Sequence, residues 1–207
     1  MNNRFFAKWL IGSFSIIFLA SCTKKDPIPP ANELKHFTST IEVAYNDTQS
    51  DPACFIDLDM GAVYNVSEAA AHAGEIDLVY APKYVEGNLR MISLGAFDGH
   101  NGITDLYWDK QTLGIDQFTT YNYTIIRNSN NTVTGFETME TVSDFDAGIG
   151  DYLTNATTVF DDDAVDGSRI GDIYVFRTHQ NKRGAFKLLD AQNGSSGFAT
   201  IEIKMEP

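Results

Sequence analysis

The chain has 207 residues and carries 15 Lys and Arg against 28 Asp and Glu, a formal net charge of −13. Nucleic-acid binding requires a basic footprint, so this balance argues against nucleic acid as a partner. Net charge of this size favours solubility and does not determine the fold.

The N-terminus has the pattern of a secretory signal. Arg4 and Lys8 form a short positive region, and an uncharged apolar run follows from Trp9 to Ala20. A membrane-spanning helix needs about 20 apolar residues, so this run is too short for a span. Its length and its flanks predict a signal peptide over residues 1–21.

The segment Leu19-Ala20-Ser21-Cys22 comes directly after the apolar run and resembles the lipobox of bacterial lipoproteins. The resemblance implies cleavage before Cys22 and attachment of diacylglycerol to its thiol. One acyl chain binds a bilayer only marginally, whereas the two or three chains of a lipidated cysteine hold a protein on its membrane. Thr23, in place of Asp, implies the outer membrane by resemblance to Gram-negative lipoproteins, with the domain facing the cell exterior or the periplasm.

Residues 22–35 are expected to form the lipidated cysteine and a linker, which Pro27, Pro29 and Pro30 make stiff and extended. A single mainly-β domain is then predicted over residues 36–207. The chain without residues 1–21 has 13 basic and 28 acidic residues, a net charge of −15. Cys54 is left without a disulfide partner and stands in an apolar run, which predicts a buried small hydrophobe.

Short runs of alternating apolar and polar residues, separated by Gly, Asn and Asp, predict β-strands along the domain. In the last of them the apolar residues share one face, namely Ala199, Ile201, Ile203 and Met205. Thr200, Glu202 and Lys204 share the other face, which is expected to meet water. A short helix is predicted between an N-cap at Ser67 and a stop at Gly74, and a second near residues 143–153. The predicted class is mainly β, an antiparallel sheet or sandwich with one or two short helices. The candidate strands are residues 36–45, 54–58, 75–80, 89–94, 119–126, 132–139, 172–178, 185–189 and 198–205.

Two stretches resemble segments of Bacteroidota-type surface lipoproteins. They are FIDLDMGAVYNVSEAAAHAGEIDLVY, residues 55–80, and GDIYVFRTHQNKRGAFKLLDAQNGSSGFATIEIKM, residues 171–205. The best-characterised group of this general design is the HmuY-like haem-binding lipoproteins. That resemblance implies a mainly-β fold and haem held between two axial side chains, His or Met, on finger-like loops.

The candidate ligand-binding residues are His100, in a Gly- and Asn-rich turn, His179, at a hairpin tip, and Met139. Tyr107 and Trp108 are a candidate stacking platform for a porphyrin or a sugar. The alternative for each histidine is a surface turn residue, and the alternative for the aromatic pair is a place in the core. Weak candidates for a hard cation such as calcium are Asp161, Asp163 and Asp166, in an acidic loop without EF-hand spacing.

No nucleophile and base occur in a recognisable motif, so no enzymatic activity is expected. One hypothesis is a lipid-anchored cell-surface protein that captures haem or a related small molecule, with an outer-membrane transporter or receptor as its partner. The alternative is a non-catalytic accessory subunit of an outer-membrane or glycan-binding complex, with no cofactor. A haem titration followed in the Soret region distinguishes the two.

Overall fold

The computed structural model of the protein describes residues 32–44, 51–82, 88–98, 113–129, 132–149, 153, 162–194 and 196–207. Their strands form two antiparallel five-stranded sheets, and the predicted mainly-β class is confirmed. The first sheet has the spatial order β1 (Lys35–Glu42), β10 (Phe198–Met205), β9 (Arg183–Gln192), β8 (Ile173–Arg177) and β6 (Ile125–Asn128). The second has the order β3 (Ala62–Asn65), β2 (Ala53–Asp57), β4 (Leu78–Pro82), β5 (Leu89–Ser93) and β7 (Asp162–Ala164). The described α-helices are α1 (Val66–Ala69) and α2 (Val142–Ile149).

The main core lies between the two sheets. Ile201 and Ile203 of β10 belong to the same cluster of fully buried side chains as Tyr80 of β4 and Tyr174 of β8. The Tyr80 hydroxyl donates a hydrogen bond to the Val165 carbonyl at 2.9 Å, so its polar end is satisfied inside the core. Burial of each large apolar side chain contributes about 1.5–3 kcal/mol, which makes this layer the main source of stability.

The outer face of each sheet is also covered. Phe55 and Val79 on the outside of the second sheet pack with Ala69 and Ala73 and with the segment around residues 113–118. On the outside of the first sheet, a second cover formed by residues 132–149 packs Phe136, Met139 and Phe145 against Val175 and Ala185. Strands covered on both faces lose the apolar–polar alternation, which is why β4 is apolar at nearly every position.

The strand predicted at residues 132–139 is wrong, because this segment contains a 3₁₀ turn at Phe136–Thr138 and lies across the first sheet. Its buried residues Val133, Phe136 and Met139 recur every three positions. This spacing suits a 3₁₀ turn with one buried face and not the alternation of a strand. The same cover corrects the expectation for Lys204, which is 3% exposed instead of facing water. The Lys204 ammonium donates to the carbonyls of Met139, at 3.0 Å, and Glu137, at 3.3 Å.

The observed bounds of several other strands and helices differ from the predicted ones. Of the strand predicted at 119–126, only the last two residues belong to β6. The helix predicted to start at Ser67 is N-capped by Asn65, whose side chain accepts from the Glu68 N–H, and it continues as a 3₁₀ turn at Ala70–His72. The second helix is confirmed as α2. The short strands β3 and β7 were not predicted, because three or four residues give too little alternation to recognise.

Side-chain hydrogen bonds join the sheets at both sides of the sandwich. Ser39 of β1 donates to the Gly61 carbonyl at 2.7 Å, and the Asn128 N–H of β6 donates to Asp163 of β7 at 2.5 Å. Among the described residues, no helix is long and apolar enough to cross a membrane. The two sheets are therefore held together along their edges, and the candidate site lies at one end between them.

Candidate functional site

A cleft of about 380 Å³, called here the end cleft, lies at the end of the sandwich where β2 and β8 finish and β4 begins. Its walls come from both sheets: from the β2–β3 turn, from the residues before β4 and from the β8–β9 hairpin tip. The lining residues are Asp57, Asp59, Met60, Ala62, Tyr64, Glu75, Asp77, Thr178, His179 and Gln180. Four of these ten residues carry carboxylates, so the walls are strongly acidic.

The β2–β3 turn is built by an aspartate and a glycine. Asp57 accepts hydrogen bonds from the backbone N–H groups of Asp59, at 2.8 Å, and Met60, at 3.2 Å, which is the local bonding that aspartate provides in turns. Gly61 has φ 63°, and a Cβ there would lie 2.6 Å from Phe37. The turn therefore needs both residues, and it places the Asp57 carboxylate on the cleft wall.

Asp77 joins the two sheets at the floor of the end cleft. It is 1% exposed and accepts hydrogen bonds from the Thr124 hydroxyl at 2.9 Å and from the Leu58 N–H at 3.0 Å. The Nδ1 atom of His179 lies 3.5 Å from Oδ1 of Asp77, a separation that gives an ion pair when the imidazole is protonated. The hydrogen bond to Asp77 raises the pKa of His179 above its ordinary value, although partial burial opposes the rise.

The carboxylates of the end cleft differ in how they are neutralised. Asp59 receives hydrogen bonds from Lys35 and Lys182. Burial alone would raise the pKa of Asp59, but these two ammonium groups outweigh it and hold that pKa below its ordinary value. Asp57 has no such cation, and burial together with the nearby charge of Asp77 raises its pKa. Asp59 is thus bonded directly to two cations, whereas no described cation is bonded to Asp57.

The Thr178 hydroxyl is the unusual polar group of this region. Thr178 is 4% exposed, and its Oγ1 atom has no hydrogen-bond partner in the described part of the chain. The residue lines both the end cleft and a neighbouring concavity of about 410 Å³ beside the hairpin tip. A buried hydroxyl without a partner costs about 1–3 kcal/mol, so this side chain would gain from a ligand that reaches it and supplies the missing hydrogen bond.

Tyr64 lines one side of the end cleft and is supported by a stacked histidine. The rings of Tyr64 and His72 stack with centroids 4.2 Å apart. Glu75 accepts hydrogen bonds from the Tyr64 hydroxyl, at 3.1 Å, and lies 2.9 Å from Nδ1 of His72. Burial, and then the bond to Glu75, raise the pKa of Tyr64 to about 12, so this wall keeps a neutral phenol near pH 7.

The residues proposed from the sequence are placed in different regions. His179 lies on the wall of the end cleft, whereas Met139 is 2% exposed and packs in the cover of the first sheet. Asp163 bonds to the Asn128 N–H, and Asp166 bonds to the Ser168 N–H at 2.8 Å, so both serve the backbone. In the described ranges, no group of three or more His, Cys, Asp or Glu is arranged to hold a metal ion. His100, Tyr107, Trp108, Asp161 and Cys22 lie outside the described residues.

Sequence reasoning did not select Asp57, Asp77 or Thr178. A signal for the two aspartates was present, because each interrupts an apolar run in the same way, as Ile56-Asp57-Leu58 and as Ile76-Asp77-Leu78. A carboxylate between two apolar residues of a buried run is costly and therefore informative. Cys54 is fully buried as predicted, and burial raises the pKa of its thiol.

Comparisons with known proteins gave the following results. No family model matches the chain, and no curated protein matches its sequence. A solved structure described as that of a DUF4466 family protein from Parabacteroides merdae, one of the Bacteroidota, is similar with a TM-score of 0.47 and 14% identity. The similarity covers 83% of this chain and 53% of the other, so this chain spans about half the length of that protein.

Proposed function

We propose that the mature protein is a lipid-anchored, non-catalytic binding protein of the outer membrane, which holds a small molecule in the end cleft. The observation that supports this most directly is the Thr178 hydroxyl, which is buried at the cleft wall without a partner among the described residues. Buried polar groups in native proteins almost always have a partner. A bound ligand would supply the missing hydrogen bond.

The anchoring part of the proposal rests on the N-terminal sequence. The apolar run and Leu19-Ala20-Ser21-Cys22 resemble a lipoprotein signal, and Thr23 favours the outer membrane. An outer-membrane transporter or receptor is the partner we expect, because a tethered binding protein needs an acceptor for its ligand. The absence of a recognisable nucleophile–base motif supports a binding role over an enzymatic one.

Haem remains a candidate ligand, but the end cleft favours a different chemistry. Haem propionates are anionic, and Asp57, Glu75 and Asp77 line this cleft. Of the three candidate axial side chains, His179 lies on the cleft wall, Met139 lies in the core, and His100 lies outside the described residues. We therefore expect a polar small molecule in the cleft and no axial haem ligation by His179.

Replacement of Thr178 by Val tests the site, since valine keeps the shape and removes the hydroxyl. We expect ligand-free Thr178→Val to be at least as stable as the parent, because an unpaired buried hydroxyl has been removed. Thermal unfolding is measured with haem, simple sugars and alkyl amines as probes. A probe that binds the cleft should raise the melting temperature of the parent and not that of Thr178→Val. Thr40→Val, on an exposed position of β1, is the matched control.

Three outcomes separate the functions. Stabilisation of the parent that Thr178→Val abolishes supports the end cleft as the binding site. A shifted Soret band that His179→Ala removes identifies haem as the ligand and overturns the expectation given above. A parent protein that no probe stabilises contradicts the binding function and favours the accessory subunit without a cofactor.

A further inference from the structure

We infer that the end cleft takes a small organic cation, with an ammonium or guanidinium group placed against Asp57; this rests on the proposed binding function and names its ligand class. Acidic walls alone do not indicate a bound cation. The second observation is Thr178, which lines the same cleft and whose buried hydroxyl lacks a partner in the described part of the chain. A ligand with a cationic group and a hydrogen-bonding atom would satisfy both.

The cations around the cleft, in the part of the chain that the structure describes, are bonded to carboxylates other than Asp57. The nearby lysines, Lys35 and Lys182, both bond to Asp59, and His72 bonds to Glu75. His179 lies beside Asp77. Among the described residues, no salt bridge reaches Asp57, which is 4% exposed. A nearly buried carboxylate without a cation is destabilising, so a cationic ligand would be attracted strongly to this position.

The hydrogen bonds of Asp57 show which oxygen a ligand would meet. Oδ1 accepts from the N–H groups of Asp59 and Met60, whereas Oδ2 receives no hydrogen bond from any described residue. Asp77, by contrast, uses both oxygens to hold the Leu58 N–H and the Thr124 hydroxyl. Asp57 is therefore the carboxylate with a free acceptor for a ligand.

The occupant is better described as an organic cation than as a metal ion. Calcium takes six to eight oxygen ligands, and the described residues contain no cluster arranged for a metal. The volume of about 380 Å³ also exceeds what a bare ion needs. Tyr64, Met60 and Ala62 line the same cleft and can contact the carbon skeleton of a ligand. A cation can in addition be attracted by an aromatic face.

The test compares probes that differ in charge and little else. Titration calorimetry of the parent uses 1,4-diaminobutane and butylguanidinium as cations, 1,4-butanediol and glucose as neutral probes, succinate as an anion and calcium chloride alone. We expect the two cations to bind and the neutral and anionic probes to bind at least tenfold more weakly. Higher salt should weaken binding of the cations.

Asp57→Asn removes the charge and keeps an oxygen for the turn N–H groups, so the variant should fold. We expect it to lose at least tenfold in affinity for the cations, while Asp190→Asn, an exposed carboxylate on β9, stays within twofold of the parent. Binding of 1,4-butanediol or glucose that Thr178→Val abolishes and Asp57→Asn does not would overturn the organic cation and leave the proposed function standing. Tighter binding of calcium than of the organic cations would also overturn it. A parent that binds none of the probes overturns both proposals.

Discussion

His179 is the residue that makes the end cleft sensitive to pH. Its imidazole is 29% exposed on the side chain and lies 3.5 Å from Asp77. The bond to Asp77 raises the pKa of His179 in the folded protein, and the burial that lowers it is the smaller effect. Stability from a raised pKa is fully present below the unfolded pKa and is lost as the pH rises through the folded pKa. The ion pair should therefore stabilise the protein in mild acid.

We predict that His179→Gln lowers the free energy of unfolding by about 0.5–1 kcal/mol at pH 5.5, the usual size for a partly exposed ion pair. At pH 8.5, where the parent imidazole is neutral, the two proteins should differ much less. Urea unfolding followed by circular dichroism at both pH values measures the difference. A loss of stability that is the same at the two pH values would contradict a role for the charge.

One buried lysine is bonded to the cover of the first sheet, residues 132–149. Lys204 of β10 bonds to the carbonyls of Met139 and Glu137, and its ammonium lies 5.4 Å from the centre of the Phe136 ring. Hydrogen bonds from charged groups are each worth about 1.5–3 kcal/mol, and their loss leaves the carbonyls unpaired. The cover therefore depends on a cation as well as on apolar contacts.

We predict that Lys204→Ala lowers the free energy of unfolding by about 2–3 kcal/mol. The matched control is Lys187→Ala on the neighbouring strand β9, because Lys187 pairs with the exposed Glu137 and should matter by less than about 1 kcal/mol. Urea denaturation of both variants gives the two values. Equal losses would show that the buried position of Lys204 adds nothing to the cover.

The strand β10 was predicted with its observed bounds, Phe198–Met205, since its inward residues alternate strictly. The structure of the segment 132–139 was not predicted correctly, because its apolar residues pack against the first sheet and that contact is not visible in the local sequence. The candidate site could be predicted only in part for the same reason. His179 could be selected from a hairpin tip, but its approach to Asp57 and Asp77 depends on how two sheets meet. His179 and Asp77 are more than 100 positions apart in the sequence, and a local pattern of apolar residues does not indicate that two such distant residues meet.

At the scale of the whole molecule, both sheets are covered outside and joined at their edges. The Ser39–Gly61 bond closes one side, and the Asn128–Asp163 bond closes the other. Large movements of one sheet against the other would break these bonds and the core between them. The walls of the end cleft, which come from both sheets, are therefore expected to be largely preformed before a ligand enters.

We predict that the full-length protein, expressed in a Gram-negative cell, is cut before Cys22 and carries acyl chains on that residue. Each buried methylene contributes about 0.8 kcal/mol, so the acylated protein should stay in the membrane fraction. Cys22→Ala should lack the acyl mass and leave the outer-membrane fraction, while Cys54→Ala should keep both. Intact mass and fractionation measure this, and an unmodified, uncut N-terminus in the parent would contradict the anchor.

The position of Lys35 indicates where a tethered protein would meet its ligand. Lys35 is the last residue of the predicted linker and the first of β1, and it bonds to Asp59 on the wall of the end cleft. An extended chain advances about 3.5 Å per residue, so a linker over residues 22–35 holds that end within about 45 Å of the bilayer. The mouth of the cleft would therefore take up its ligand within that distance of the membrane and not in the bulk solution.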